Sequence, residues 1–219
     1  MLTAALRKEL LLQWRTRGQM MAVFVFGATA LLLFSFGIGP DSSALRTYSA
    51  GFLWLALLLT STLTLSESFH AEMENHAFEG LPLLPSSARA LYYGKAIANW
   101  IQLTLLGIAL VPVMVVLYDA GTLQLLKLLG IIMLGTAGLS APGTLYAGMT
   151  AQVKAKQMLL PLLLFPLIVP ALLASVKATS LVILGDPMGQ SGAWLTLLGA
   201  FDLIYWSLCG LLFGRVVEE

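Results

Sequence analysis

Six apolar runs, each close to the length that crosses a bilayer or beyond it, leave this chain few folds to choose from. They cover about residues 20–38, 49–68, 96–118, 123–151, 158–176 and 194–214. A spanning helix needs roughly 20 apolar residues. The runs are continuous rather than alternating, which argues for helices and against barrel strands. Of the 219 residues, 58% are hydrophobic and only 11% charged, with a mean hydropathy of +0.88. Soluble domains carry about 25% charged residues, so these charges are too few to cover a water-soluble globule. The expected fold is an all-α integral membrane protein, a single transmembrane domain over residues 1–219 with the lipid bilayer as its surroundings.

The same composition excludes other classes. A net charge of +1 with no dense basic run gives no footprint for nucleic acid. One cysteine, Cys209, rules out an intramolecular disulfide and a multi-cysteine metal or iron–sulfur site. The basic N-terminal stretch precedes an apolar run long enough to span, and no A-x-A-type site follows it. The expectation is a retained first span rather than a cleaved leader.

Lysine and arginine set the orientation. With the N-terminus inside, nine fall on inner segments: Arg7, Lys8, Arg15, Arg17, Arg89, Lys95, Lys154, Lys156 and Arg215. Three fall outside: Arg46, Lys127 and Lys177. Both termini are therefore expected in the cytoplasm. Residues 1–19 read as an interfacial helix, because Leu2, Leu6, Leu10 and Trp14 recur every four residues and basic residues flank them.

Small polar residues recur at helical spacing in two spans. Thr60, Thr64 and Ser68 mark the second, and Thr136, Ser140, Thr144 and Gly148 the fourth. Such stripes serve close helix packing or line a conduit, and spacing does not separate the two. The fourth run, about 29 residues, would rise roughly 43 Å against a core of about 30 Å. Pro142-Gly143 is expected to break or kink it. Pro161, Pro166 and Pro170 in the fifth run point to a helix packed inside the bundle, where neighbours satisfy the freed carbonyls. The short run Leu181–Leu184 reads as a separate interfacial or re-entrant element.

No catalytic constellation stands out. Gly94-Lys95 fails as a phosphate-binding loop, since Arg89 replaces the required glycine and Ala96 the required Ser or Thr. No ATP site and no metal site is expected in the chain. His70, Glu74 and His76 are near neighbours, yet two histidines on a polar loop are more often solvated than ligating. Asp202 is the one acid inside an apolar run. An intramembrane acid is a functional candidate by default; the plainer reading is that it snorkels outward or accepts a hydrogen bond from a nearby Thr or Tyr.

The segment Ser66–Lys95 is the only long polar loop. It holds four of the seven glutamates, Glu67, Glu72, Glu74 and Glu79, together with both histidines. Acidic residues here run against the positive bias of an inner loop. With Met73 and Phe78 as apolar anchors, the loop suits a short amphipathic helix that docks into a soluble partner.

Several motifs in order carry a resemblance. They are Glu67-Ser68-Phe69, Phe78-Glu79, Leu83-Leu84-Pro85, Lys95-Ala96-Ile97-Ala98-Asn99-Trp100, Leu134-Gly135-Thr136, Ala141-Pro142-Gly143 and the pair Pro166 and Pro170. With six spans and an acidic first inner loop, the chain resembles the permeases of type-2 ABC exporters. Within that class it is similar to the haem exporter protein B (CcmB) family of cytochrome c maturation. His76 stands where that family has a glycine, and Lys154-Ala155-Lys156-Gln157 where it has a basic-Gly-Gly turn.

The resemblance implies a permease subunit in a bacterial inner membrane, with no cofactor of its own. Two copies would pair with two copies of an ABC ATPase subunit that binds ATP. They would join haem-handling membrane subunits and a periplasmic haem chaperone, so that the complex handles haem. ATP hydrolysis in the partner would drive release of the haem-loaded chaperone. Glu67, Phe69, Glu72, Met73, Glu74, Phe78, Glu79 and Lys95 would couple the ATPase to the bundle, and spans one and five would pair the copies. A type-2 exporter for a lipid, drug or glycan, a membrane enzyme built around Asp202, and an assembly subunit without transport remain the alternatives.

Overall fold

The computed structural model describes residues 6–9, 11, 17–69, 88–121, 124–150 and 156–218. Six helices carry the fold: α1 (Arg17–Ile38), α2 (Ser42–Glu67), α3 (Ala88–Tyr118), α4 (Leu125–Thr150), α5 (Lys156–Leu184) and α6 (Ser191–Glu218). All six are long and apolar enough to cross a membrane. Residues 6–9 and Leu11 are helical as well, within the expected interfacial helix. Leu2, Leu10 and Trp14 lie outside the described residues. No strand occurs among those described.

Local chemistry sets the corners at the α1–α2 and α5–α6 end. Gly39, at φ +82°, closes α1 with its amide on the Ser35 carbonyl at 3.2 Å. Such a left-handed residue past a helix end costs glycine no side-chain clash. Asp41 then caps α2, its Oδ1 accepting from the amides of Ser43 (2.9 Å) and Ala44 (3.2 Å). That satisfies donors the first helical turn cannot pair internally. Gly185, at φ +104°, ends α5 in the same way, and Asp186 takes the amides of Gln190 and Ser191, both at 2.8 Å, where α6 begins.

These stops correct two readings of the sequence. Leu181–Leu184 is no separate element: it is the last turn of α5, which runs on past Lys177. The lysine is exposed while Ala178 and Thr179 beside it are buried, so the charge interrupts the hydropathy and not the helix. Pro142 does not break α4 either. The helix continues through it for two more turns.

Helix α4 is the hub, packed on α2, α3, α5 and α6. Most of the apolar windows of α2 and α4 is buried, 61% in each, against 17% in α1 and 22% in α6. The outer helices therefore keep broad apolar faces, such as Phe26, Leu33 and Phe36 on α1 and Leu203, Ile204 and Leu211 on α6. Inside hydrocarbon such faces carry no penalty, because lipid tails are as apolar as leucine. The expected deep burial of α5 is also corrected. Leu164, Ile168, Ala171 and Ala174 are buried, whereas Leu162, Leu163, Val169 and Leu173 are exposed. Pro166 and Pro170, four residues apart, share the exposed face.

Cross-bundle bonds identify the two ends. At one end Tyr118 Oη donates to the Leu31 carbonyl (2.7 Å) and Arg46 Nη2 to the Ile183 carbonyl (3.1 Å). At the other, Phe69 meets Phe213 with ring centroids 6.4 Å apart, and Lys95 meets Ser68. Successive helices therefore alternate in direction, as six spans require.

Candidate functional site

The two hydroxyl stripes are buried except for the half-buried Ser68, and their bonding decides their part. Thr60 Oγ1 returns to the carbonyls of Ala56 and Leu57, and Thr64 Oγ1 to that of Thr60. Thr60 packs its methyl against Gly27 of α1, where an added Cβ would lie 3.0 Å from it. On α4, Thr136 Oγ1 bonds Thr104 Oγ1 (2.8 Å), Ser140 Oγ donates to the Ala96 carbonyl (2.7 Å), and Thr144 Oγ1 accepts from Asn99 Nδ2 (3.0 Å). Pro142 follows Ala141, whose carbonyl accepts from Tyr92 Oη at 2.9 Å. Gly143 admits the Leu65 side chain, and Gly148 the ring of Phe213. The α4 stripe therefore zips α4 to α3, the use small polar residues have in membranes, whereas the Thr60 and Thr64 hydroxyls are satisfied within α2. Thr64 alone borders a groove of about 330 Å³ between α1 and α3, and the rest of that lining, including Met20, Val23, Phe24, Leu105 and Leu106, is almost all apolar.

Asp202 departs from both readings of a snorkelling or hydrogen-bonded acid. It is 9% exposed, and neither carboxyl oxygen has a hydrogen-bond partner. Oδ1 lies 3.1 Å from where a Cβ on Gly138 would stand, beside Ala171 and Phe201. The missing side chain at Gly138 is what makes room for it.

The polar loop is anchored in an unexpected way. Glu67 closes α2 and is exposed, but Phe69 is only 2% exposed and lies under the Lys95 ammonium, 4.6 Å from ring centroid to Nζ. Lys95 itself is 1% exposed. Its Nζ donates to the Ser68 carbonyl at 2.7 Å and to Glu9 Oε2 at 3.1 Å. A cation at the C-terminal end of α2 meets carbonyls that the helix leaves unpaired. Asn99, one turn further along α3, donates from Nδ2 to Ser68 Oγ and to Thr144 Oγ1, both at 3.0 Å. Lys95 and Phe69 thus face inward and hold the loop's base; they do not present themselves to a docking protein. Of the other expected loop residues, Glu72, Met73, Glu74, Phe78, Glu79, His70 and His76 lie outside the described residues. Among those described, no cluster of His, Cys, Asp or Glu could hold a metal ion.

Glu9 is the residue that sequence reasoning missed. Its signal was present: it follows Leu6 by three positions and so lies on the apolar side of the N-terminal helix, where an acid needs a buried partner.

The protein-family model described as CcmB protein matches residues 1–218. The chain belongs to the CcmB family. Among its curated relatives, a heme exporter protein B of Pseudomonas aeruginosa is 30% identical over 198 residues, covering 90% of this chain and 89% of its own length. Another heme exporter protein B, from Rhodobacter capsulatus, is 34% identical over 170 residues, 78% of each chain. A third, from Bradyrhizobium diazoefficiens, is 28% identical over 203 residues, covering 93% of this chain and 90% of the relative. The base of the loop, the hydroxyl stripes and Asp202 are therefore features of a CcmB-family bundle.

Proposed function

We propose that this chain is the membrane-embedded permease subunit of a haem-exporting ABC complex for c-type cytochrome maturation, with ATP hydrolysis supplied by a separate subunit. The observation that carries the reading is the whole-chain family match, with full-length relatives named as heme exporters. The residues agree with it. The chain has no phosphate-binding loop of its own, so an energy source must be borrowed. Phe69 and Ala88, which flank the acidic residues 70–87, lie on the end that the lysine and arginine count assigns to the cytoplasm.

In this reading the bundle receives force rather than doing chemistry. Two copies pair with two ATPase subunits, and Glu72, Glu74 and Glu79, with Met73 and Phe78 as apolar anchors, dock into the ATPase surface. Glu67 is exposed at the end of α2. Phe69 and Lys95 connect that docking helix to α2 and α3. The assembly holds further haem-handling membrane subunits and releases a haem-loaded periplasmic chaperone, with both termini of this chain in the cytoplasm of a bacterial inner-membrane complex.

The test is co-expression with the candidate ATPase and haem-handling subunits, followed by affinity purification on a tag carried by this chain. The reading expects the ATPase to be retained in detergent. Purification of this chain with the haem-handling subunits and without any ATPase would overturn it.

A further inference from the structure

One ammonium joins three parts of the chain that are far apart in sequence. Lys95 sits two turns into α3, the Ser68 carbonyl ends α2, and Glu9 belongs to the N-terminal helical segment, 86 residues from Lys95. All three meet beside Phe69, the last described residue before residues 70–87. The ion pair is shielded, with side chains 1% and 8% exposed, so salt screens it little. Glu9 Oε1 accepts no hydrogen bond and lies 3.6 Å from the exposed Lys8 ammonium.

We propose that Glu9 is a positioning residue: through Lys95 it locks the N-terminal segment to the end of α2 and to α3, the two helices that flank the docking loop, so that segment and bundle move as one body. The inference rests on the reading that the 70–87 loop docks an ATPase. A buried carboxylate facing a buried ammonium resists separation, because either charge left alone keeps its desolvation cost without its partner. The N-terminal segment then travels with the force-bearing loop instead of floating at the membrane surface. Without the pair, the docking helix would still bind the ATPase, but its displacement would be absorbed at the loop's base.

The experiment uses the full complex. Spin labels go on Arg7 and Arg89, both exposed, and the distance between them is measured with and without ATP. ATPase retention and hydrolysis rate are recorded on the same preparations. Wild type is compared with Glu9→Gln and with the neutral pair Glu9→Gln, Lys95→Gln, which leaves no buried charge alone and so keeps the question answerable should the single variant fail to fold. Wild type is expected to give one narrow distance that ATP does not change. The variants are expected to retain the ATPase, to show a broadened distance, and to lose on the order of tenfold in hydrolysis stimulated by the bundle. A wild-type distance and rate in either variant would overturn the proposal. Absence of the ATPase from wild-type preparations would instead overturn the docking reading, while the label distance still reports whether Glu9 holds the segment.

Discussion

The indole of Trp54 occupies the space a side chain on Gly135 would need. A Cβ there would run into the six-membered ring of Trp54 and into Ser175 Oγ. The ring has nowhere to retreat, since its Nε1 is held by Thr179 Oγ1 at 2.9 Å. This contact joins α2, α4 and α5. Gly135→Ala is expected to cost about 1–3 kcal/mol through overpacking, and Gly135→Leu to prevent accumulation of folded protein. Unfolding in a denaturing detergent, followed by tryptophan fluorescence, checks both.

Asn99 ties the exit of α2 to α4 through Ser68 and Thr144. Asn99→Leu removes the hydrogen bonds to Ser68 and Thr144 and strands the buried Thr144 hydroxyl and the half-buried one of Ser68. Interhelical bonds in membranes average about 0.6 kcal/mol each, so a loss of about 1–2 kcal/mol is expected. Thr144→Val removes one of the two and is expected to cost about half as much. The same unfolding assay, run on both single variants and the double, should show non-additive losses, because the sites share a bond.

Asp202 is predicted to behave in the opposite way. Its oxygens are buried without a partner, and such a group weakens a fold rather than supporting it. Asp202→Ala is expected to leave stability unchanged or raise it by about 1 kcal/mol. A clear loss in the isolated subunit would show that the carboxyl is satisfied by a contact missing from this account. Measuring cytochrome c accumulation for Asp202→Asn alongside separates a functional acid from a tolerated one: a functional acid predicts loss of maturation at full stability.

Asp41 gives a pH dependence of known sign. Hydrogen bonds from the Ser43 hydroxyl and the amides of Ala44 and Ser43 hold its carboxyl below its ordinary value of 3.8. A depressed folded value means the cap's contribution is present above that ordinary value and is lost as pH falls through the folded one. Asp41→Asn, which keeps an acceptor, is therefore expected to flatten the acid limb of a thermal-stability profile below about pH 4 while changing little at pH 7. Equal acid sensitivity in both proteins would contradict this.

The six helices were legible because hydrocarbon demands long apolar runs and little else in this chain has that length. Their ends were less so. Helix α2 starts at Ser42, seven residues before the apolar run at Ser49, because Asp41 caps it; a cap is a single residue and hydropathy does not see it. Helix α3 starts at Ala88, eight residues before Ala96, since Tyr92 and Lys95 are helical and buried by partners on other helices. At the loop, the inward orientation of Phe69 and Lys95 depends on Glu9, Ser68 and Phe213. Glu9 and Phe213 are far from both in sequence, and nothing in the pattern pairs them. The Gly138 notch that admits Asp202 was invisible for the same reason.

The central claim is that the acidic loop passes ATP-driven force from a partner into this bundle. Glu72→Ala, Glu79→Ala tests it most directly, in a purified complex supplied with the periplasmic chaperone and haem. ATP-dependent release of the haem-loaded chaperone is measured beside ATPase retention. The account predicts that wild type releases the chaperone with ATP, and that the double variant loses the ATPase or hydrolyses ATP without release. Release at the wild-type rate from a complex that keeps its ATPase would show that the force enters by another route.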